Sequence, residues 1–207
     1  MSIAKIFNKG TTTLSDNRFI ESLTRTHFLV PVIFYSSLAI AIIAFTLCNH
    51  FPDPLKILYI LPLGVFSFTI VEYFIHRFIF HFEPKNKTQE KIKYKIHGVH
   101  HEYPRDKDRL AMPPVFSICL ALIFYGIFKS LMGNLVLYFF PGFLLGYVVY
   151  LIIHYVVHRF RPPHNFLKIL WTHHALHHYK NDNAFFGVSM PLWDYVFGTI
   201  PNEEKAG

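Results

Sequence analysis

The chain has 207 residues; 52% are hydrophobic, 18% aromatic and 16% charged. A globular domain carries about 25% charged residues, so this composition points away from a soluble enzyme and toward the membrane. The formal charge of +7 would suit nucleic acid, but no basic–aromatic interleaving of a nucleic-acid reader is present, and no nucleic-acid partner is expected.

A polar start carrying Lys5, Lys9, Arg18 and Arg25 leads into a first apolar segment, residues 28–48. No small-residue cleavage site follows it, so a removable signal peptide is not expected. A second apolar segment covers 55–75, a third 115–132 and a fourth 135–157. Each approaches the ~20 residues needed to cross a hydrocarbon core. The breaks at 49–54 and 133–134 are short, so the spans are expected to pair as two tight hairpins. Cys48 and Cys119 fall inside apolar runs and read as buried fillers rather than a disulfide or metal pair.

Lys and Arg set the expected orientation. Four lie before the first span, nine between Arg77 and Arg109, and five from Arg159 onward. Only Lys56 and Lys129 lie near the hairpin tips. Residues 1–27, 76–114 and 158–207 are therefore expected on the cytoplasmic side, with both termini. The fold expected is an all-α integral membrane protein, a single domain over 1–207 with four transmembrane helices and a cytosolic helical lobe.

Ten of the 14 histidines form four groups. His76 and His81 follow the second span, and His97, His100 and His101 lie in the middle loop. His154 and His158 close the fourth span, and His174, His177 and His178 stand near the C-terminus. All four groups meet on one predicted side. Residues at i, i+3 and i+4 of a helix share a face, so each H-x-x-H-H unit is expected to aim three imidazoles at one point, and H-x-x-x-H two. His76 and His81 are five apart, which an ideal helix places on different faces; they serve two different metals, or the helix ends or bulges between them. One metal cannot use ten imidazoles, whereas two can, so a dinuclear transition-metal site is expected. His154 lies inside an apolar span, where an ionisable residue is costly and functional by default. His27 and His50 read as interfacial polar residues.

Glu72, one turn before His76, would either accept a hydrogen bond from that imidazole or be paired elsewhere. Arg105, Lys107 and Arg109 would either hold a polar head group or snorkel at the interface. Asp106, Asp108 and Asp182 read as solvated loop charges.

The stretches VEYFIHRFIFH (71–81), HGVHHEYPRDKDRLAMPP (97–114), GYVVYLIIHYVVH (146–158) and HHALHHYKNDNAFFGVSMPLWDYVFGT (173–199) resemble the fatty acid 2-hydroxylase group of the membrane histidine-box fatty acid hydroxylase and sterol desaturase superfamily. LTRTHFLVP (23–31) resembles its lead into the first span. The resemblance implies a cytosolic dimetal centre, with iron in the active enzyme and zinc able to occupy a purified sample. It implies ligation by His76, His81, His97, His100, His101, His154, His158, His174, His177 and His178, leaving His173 and His164 outside. It also implies O2-dependent hydroxylation at C2 of a long-chain acyl group, free or in a sphingolipid- or ceramide-like lipid. Two departures stand out. Relatives carry an Asp three residues before the third-group histidine, where this chain has Leu151. Eukaryotic relatives often carry an N-terminal haem domain; about 27 residues precede the first span here, so a separate electron donor of cytochrome or ferredoxin type is expected. The short form and the end EEKAG lean toward a bacterial cytoplasmic membrane, with the endoplasmic reticulum as the eukaryotic counterpart. The rival readings are a sterol or carotenoid oxidase with the same ligands, and a non-catalytic membrane protein that binds or transports metal along its spans.

Overall fold

The structure is a computed structural model that describes residues 6–49 and 53–201. Lys5, His50 and Lys205 lie outside the described residues. Among the described residues every regular element is helical.

The short helix α1, Arg18–Leu23, is capped by Asn17, whose side chain accepts from Phe19 N and Ile20 N. The long helix α2 runs Leu29–Asn49. Next, α3 runs Pro54–Ile75, where Asp53 caps the first turn and Pro54 supplies a helical φ at a position that needs no N–H donor. The chain then winds through a π-helical turn, His76–Phe80. The middle segment holds α4, Lys87–Lys93, a second π-helical turn, Tyr94–Gly98, and α5, Val99–Glu102. Helix α6, Pro114–Met132, and α7, Val136–Arg159, are joined by a 3-10 turn at Gly133–Leu135. Finally come α8, Lys168–Tyr179, and α9, Leu192–Val196.

Three helical stretches are long and apolar enough to cross a membrane: Leu29–Asn49, Pro54–Phe80 and Pro114–Arg159. The third counts α6 and α7 together, 46 residues interrupted at Gly133, whose φ of 57° only glycine adopts freely. The outward faces are apolar. Ile40 is 65% exposed, Leu122 65% and Leu131 75%, a pattern that suits lipid rather than water.

The core is a seam between α2, α3 and α7, with Tyr35, Ala39, Phe68, Val136, Phe140 and Leu144 buried in it. Helices α3 and α7 make the most extensive contact. Small residues allow it: a Cβ on Gly64 would stand 2.1 Å from the Phe139 carbonyl, and one on Gly142 2.0 Å from the Leu61 carbonyl. Phe124 packs on Phe143 and Phe128 on Phe139, so α6 runs antiparallel to α7. A Cβ on Gly146 would meet Phe68, further along both helices than the Gly142–Leu61 contact, so α3 and α7 run in the same direction and their C-terminal ends lie together, where α8 also packs on α7.

Cys48 and Cys119 are free and exposed, not buried as their apolar surroundings suggest. Their neighbours on α2 and α6 face outward, and an apolar run that contacts lipid needs no burial inside the protein.

Candidate metal centre

The ten histidines converge in two groups of five. His76, His81, His97, His101 and His177 form one; His100, His154, His158, His174 and His178 form the other. Within each group one nitrogen per residue lies within 4.8 Å of all the others. In the first group His97 Nε2 stands 3.2 Å from His76 Nε2 and 3.1 Å from His101 Nε2, while His177 Nε2 is 3.1 Å from His81 Nε2. In the second, His154 Nε2 stands 3.0 Å from His100 Nε2 and 3.2 Å from His158 Nε2, and His174 Nε2 is 2.7 Å from His158 Nε2. The two groups abut: the rings of His101 and His178 stack at 4.2 Å.

The H-x-x-H-H units therefore do not aim three rings at one point. Members four apart, His97/His101 and His174/His178, share a group, while His100 and His177 turn to the other one. Positions i+3 and i+4 diverge by about 100° around the axis, and an imidazole is too short to close that gap. His76 and His81 share a group because the helix bulges: the N–H of His81 donates to the His76 carbonyl at 3.1 Å, a π-type turn. Of the alternatives left by the sequence, the bulge is the one realised.

Ring orientation is fixed from behind. Nδ1 of His76 donates to the Phe186 carbonyl at 2.6 Å, Nδ1 of His177 to that of Ala184 at 2.7 Å, and Nδ1 of His154 to that of Leu110 at 3.0 Å. A carbonyl can only accept, so each of these Nδ1 atoms carries the proton and each Nε2 presents a bare lone pair. His76 Nε2 and His154 Nε2 thus direct lone pairs into crowded, buried clusters of the same atom. Neutral imidazoles gain nothing from this arrangement, whereas a cation at the focus satisfies all of them; metal–nitrogen bonds of about 2.0–2.1 Å put adjacent ligand nitrogens close to the spacings seen. Burial, and then the neighbouring imidazoles, hold His97, His100, His174 and His178 well below the ordinary histidine range. Burial likewise brings His101 to about 3. The rings are neutral at physiological pH, the state that coordinates metal. The donor set fits two ions of a borderline transition metal.

His173 is buried but lies in neither group; its ring packs against Phe185 at 5.3 Å. His164, on the 160–166 stretch before α8, joins neither group. Glu72 does not reach His76. It accepts from Val188 N at 2.8 Å and from the Ser189 hydroxyl, so of its two readings pairing elsewhere is correct. Arg109 is not free for a head group: its guanidinium donates to Glu21 Oε1 at 2.7 Å and to the Thr12 carbonyl at 2.7 Å, tying α1 to the middle loop. Arg105 and Lys107 remain exposed. Asp106 is not merely solvated either, since it accepts from the Thr11 hydroxyl. Leu151 is buried in α7, where an unpaired carboxylate would be costly.

A cavity of about 670 Å³ opens beside the histidines. His76 and His97 of one group and His100 and His154 of the other stand in its wall. Away from them the lining is mostly apolar, with Val71, Leu120, Ala121 and Leu144, and Phe124 and Phe143 at the far end, and with polar groups such as Glu72, Ser117 and Arg109 among them. Leu14, Ile20 and Leu23 border it from the N-terminal segment.

The carbonyls of Ala184, Phe186 and Leu110 escaped the sequence reading, because backbone acceptors leave no side-chain pattern. Asp194, fully buried and accepting from Phe186 N and Gly187 N, also escaped it, since a single acid in an aromatic stretch has no partner in sequence.

Residues 61–199 match the model of the family described as fatty acid hydroxylase. The chain is 36% identical over 200 residues to the ceramide very long chain fatty acid hydroxylase of Saccharomyces cerevisiae, covering 93% of this chain and 50% of that one. It is 40% identical over 147 residues to fatty acid 2-hydroxylase of Rattus norvegicus, covering 69% of this chain and 39% of that one. The chain thus spans half or less of the length of these two relatives. A solved structure of full-length scs7p, in which only the hydroxylase domain is visible, superposes with a TM-score of 0.84 at 35% identity, covering 94% of this chain and 74% of that one.

Proposed function

Because the chain belongs to the fatty acid hydroxylase family, we propose that it hydroxylates C2 of long-chain fatty acyl groups, free or within ceramide-like lipids. The observation that carries this reading is the cavity: a mostly apolar space of about 670 Å³ is lined by members of both histidine groups. A fatty acyl chain entering from the bilayer would lie along Ala121, Phe124 and Phe143 and leave its carboxyl end, and hence C2, against His76, His97, His100 and His154.

The ten histidines in their two groups of five are the ligands in this reading, holding two metal ions, iron in the active enzyme. A reduced iron pair supplies the O2-dependent oxidising power that breaking an unactivated C–H bond requires and side-chain acid–base chemistry lacks. The chain's own residues do the rest. Neutral imidazoles hold the ions, the carbonyls of Ala184, Phe186 and Leu110 orient three of the rings, and the apolar wall excludes water from the reacting carbon. One oxygen atom of O2 enters the product and the other leaves as water, which takes two electrons and two protons per turnover. A separate electron-transfer protein delivers the electrons on the side that the Lys/Arg distribution of the sequence makes basic.

The helices α2, α3, α6 and α7 cross the bilayer as two hairpins, with both termini and the histidines on the cytoplasmic side. The antiparallel packing of α6 on α7, the glycine at their turn and the Lys/Arg distribution support this arrangement.

Expression with an electron donor, followed by analysis of lipid-derived 2-hydroxy fatty acids, tests the reading. Iron-loaded protein should produce them and its His177→Ala variant should not; no 2-hydroxy product from the intact protein overturns the reading.

A further inference from the structure

Two of the three carbonyls that orient the rings come from one short loop, residues 184–189, and both serve the first histidine group. The loop is not self-supporting. Phe185 has a φ of 59°, a left-handed conformation costly for a bulky residue, so something outside it must hold the shape. Two buried carboxylates do so. Glu72 accepts from Val188 N, as above, and Asp194 takes the adjoining residues: its Oδ1 accepts from Phe186 N at 2.7 Å and its Oδ2 from Gly187 N at 2.8 Å. Thr199 completes the anchor, donating its hydroxyl to Asp194 Oδ1 at 2.7 Å and its N–H to the Asp194 carbonyl at 2.9 Å.

The peptide unit between Phe186 and Gly187 is bonded at both ends. Its N–H donates to the Asp194 carboxylate, and its C=O accepts from Nδ1 of His76. We propose that Asp194 is a positioning residue for the first metal site, acting on His76 through the Phe186–Gly187 peptide. A carboxylate on the N–H polarises the peptide and strengthens its oxygen as an acceptor. The His76 ring is thereby held in one tautomer and made a better donor of its Nε2 lone pair. Carboxylate–histidine–metal triads achieve the same by direct contact; here a peptide stands between. Gly187 belongs to the device, because a Cβ there would lie 2.8 Å from Asp194 Oδ2 and 2.5 Å from the Met190 carbonyl. Among the described residues no comparable carboxylate stands behind the second group, whose carbonyl contact, Leu110 to His154, comes from a different loop.

The inference rests on the two-metal reading, and the release of Zn2+ from the detergent-solubilised full chain to a chelator tests the two separately. Wild-type chain that takes up no Zn2+ overturns the two-metal reading and this inference with it. With two ions bound, Asp194→Asn removes the charge with little change of shape. It should release one ion about 10–100-fold faster, the range for loss of such a supporting partner, and leave the other at the wild-type rate. In a chain already lacking His97 and His101, the same substitution should leave the remaining ion unaffected. Wild-type release of both ions from Asp194→Asn, or equal acceleration of both, overturns the proposal. Should that variant fail to fold, Gly187→Ala decides, because it displaces the N–H from the carboxylate and should produce the same one-ion effect; equal release of both ions overturns the proposal there too.

Discussion

His97 and His100 are one helical turn apart and serve different clusters: His97 Nε2 lies 3.2 Å from His76 Nε2, and His100 Nε2 lies 3.0 Å from His154 Nε2. The middle loop therefore bridges both groups, as α8 does through His177 and His174. Group membership crosses the sequence motifs, and this gives a prediction that a motif-by-motif reading would not. Removing His97 and His101 together should leave one metal ion per chain, and removing His100 and His154 together should leave the other. Removing His97 and His100, neighbours in sequence, should weaken both. Metal analysis of purified variants distinguishes these patterns. Every one of them should lose hydroxylase activity by several orders of magnitude, because neither half-site can act alone.

Acidification should unfold the metal-free protein. The folded-state pKa of His101 is brought to about 3 by burial, below the ordinary histidine value of 6.5, and His97, His100, His174 and His178 shift the same way. Above pH 6.5 both folded and unfolded chains hold neutral rings, and pH has no leverage through them. Below it the unfolded chain gains protons that the folded chain refuses, so stability falls as pH drops from about 6.5 toward 3. Each such ring contributes a slope of up to about 1.4 kcal/mol per pH unit. Thermal melts of the metal-free protein should show Tm constant from pH 8 to 7 and falling steeply below 6. Replacing His101 with Gln should flatten that fall.

The sequence made the long apolar helices and the ten clustered histidines legible, because apolar runs of membrane length and repeated imidazole spacings are local signals. It could not distribute the histidines. The division of His97 from His100 depends on ring reach, and the pairing of His76 with His81 on a π-helical turn that spacing alone left open. Arg109 looked available for a head group because its partners, Glu21 and the Thr12 carbonyl, lie 88 and 97 residues away. Glu72 sits one turn from His76 yet serves Val188, 116 residues on, for the same reason. Buried polar groups find partners through the tertiary fold, and a single sequence does not record them.

The α3–α7 seam should tolerate no added methyl. Gly142→Ala places a Cβ 2.0 Å from the Leu61 carbonyl, a backbone atom that cannot swing aside. Overpacking of this kind costs about 1–3 kcal/mol or more. Because α3 delivers His76 and α7 delivers His154 and His158, forcing them apart should also lower metal content. Gly126→Ala on α6 is the matched control: a Cβ there meets nothing within 4 Å, and helix propensity favours alanine by about 1 kcal/mol. Thermal melts in detergent should show a lower Tm for Gly142→Ala and an unchanged or higher one for Gly126→Ala.

The cavity sets a test of substrate length that leaves the metal site alone. Ala121 stands in the apolar wall on α6, one turn short of Phe124, which packs on Phe143 at the far end. Ala121→Phe should fill the channel below the reacting carbon. Long acyl chains would then be unable to bring C2 to His76 and His154 while their tails are obstructed, whereas shorter chains would still fit. The expected result is a loss of at least ten-fold in turnover of the longest substrates, with a smaller loss for short ones. Removing the floor with Phe124→Ala should shift preference toward longer chains. Metal content should remain at the wild-type value in both, because neither residue contacts a histidine ring. Product profiles across a series of acyl chain lengths decide the matter: a uniform drop at every length would mean that the acyl chain takes another path to the histidines.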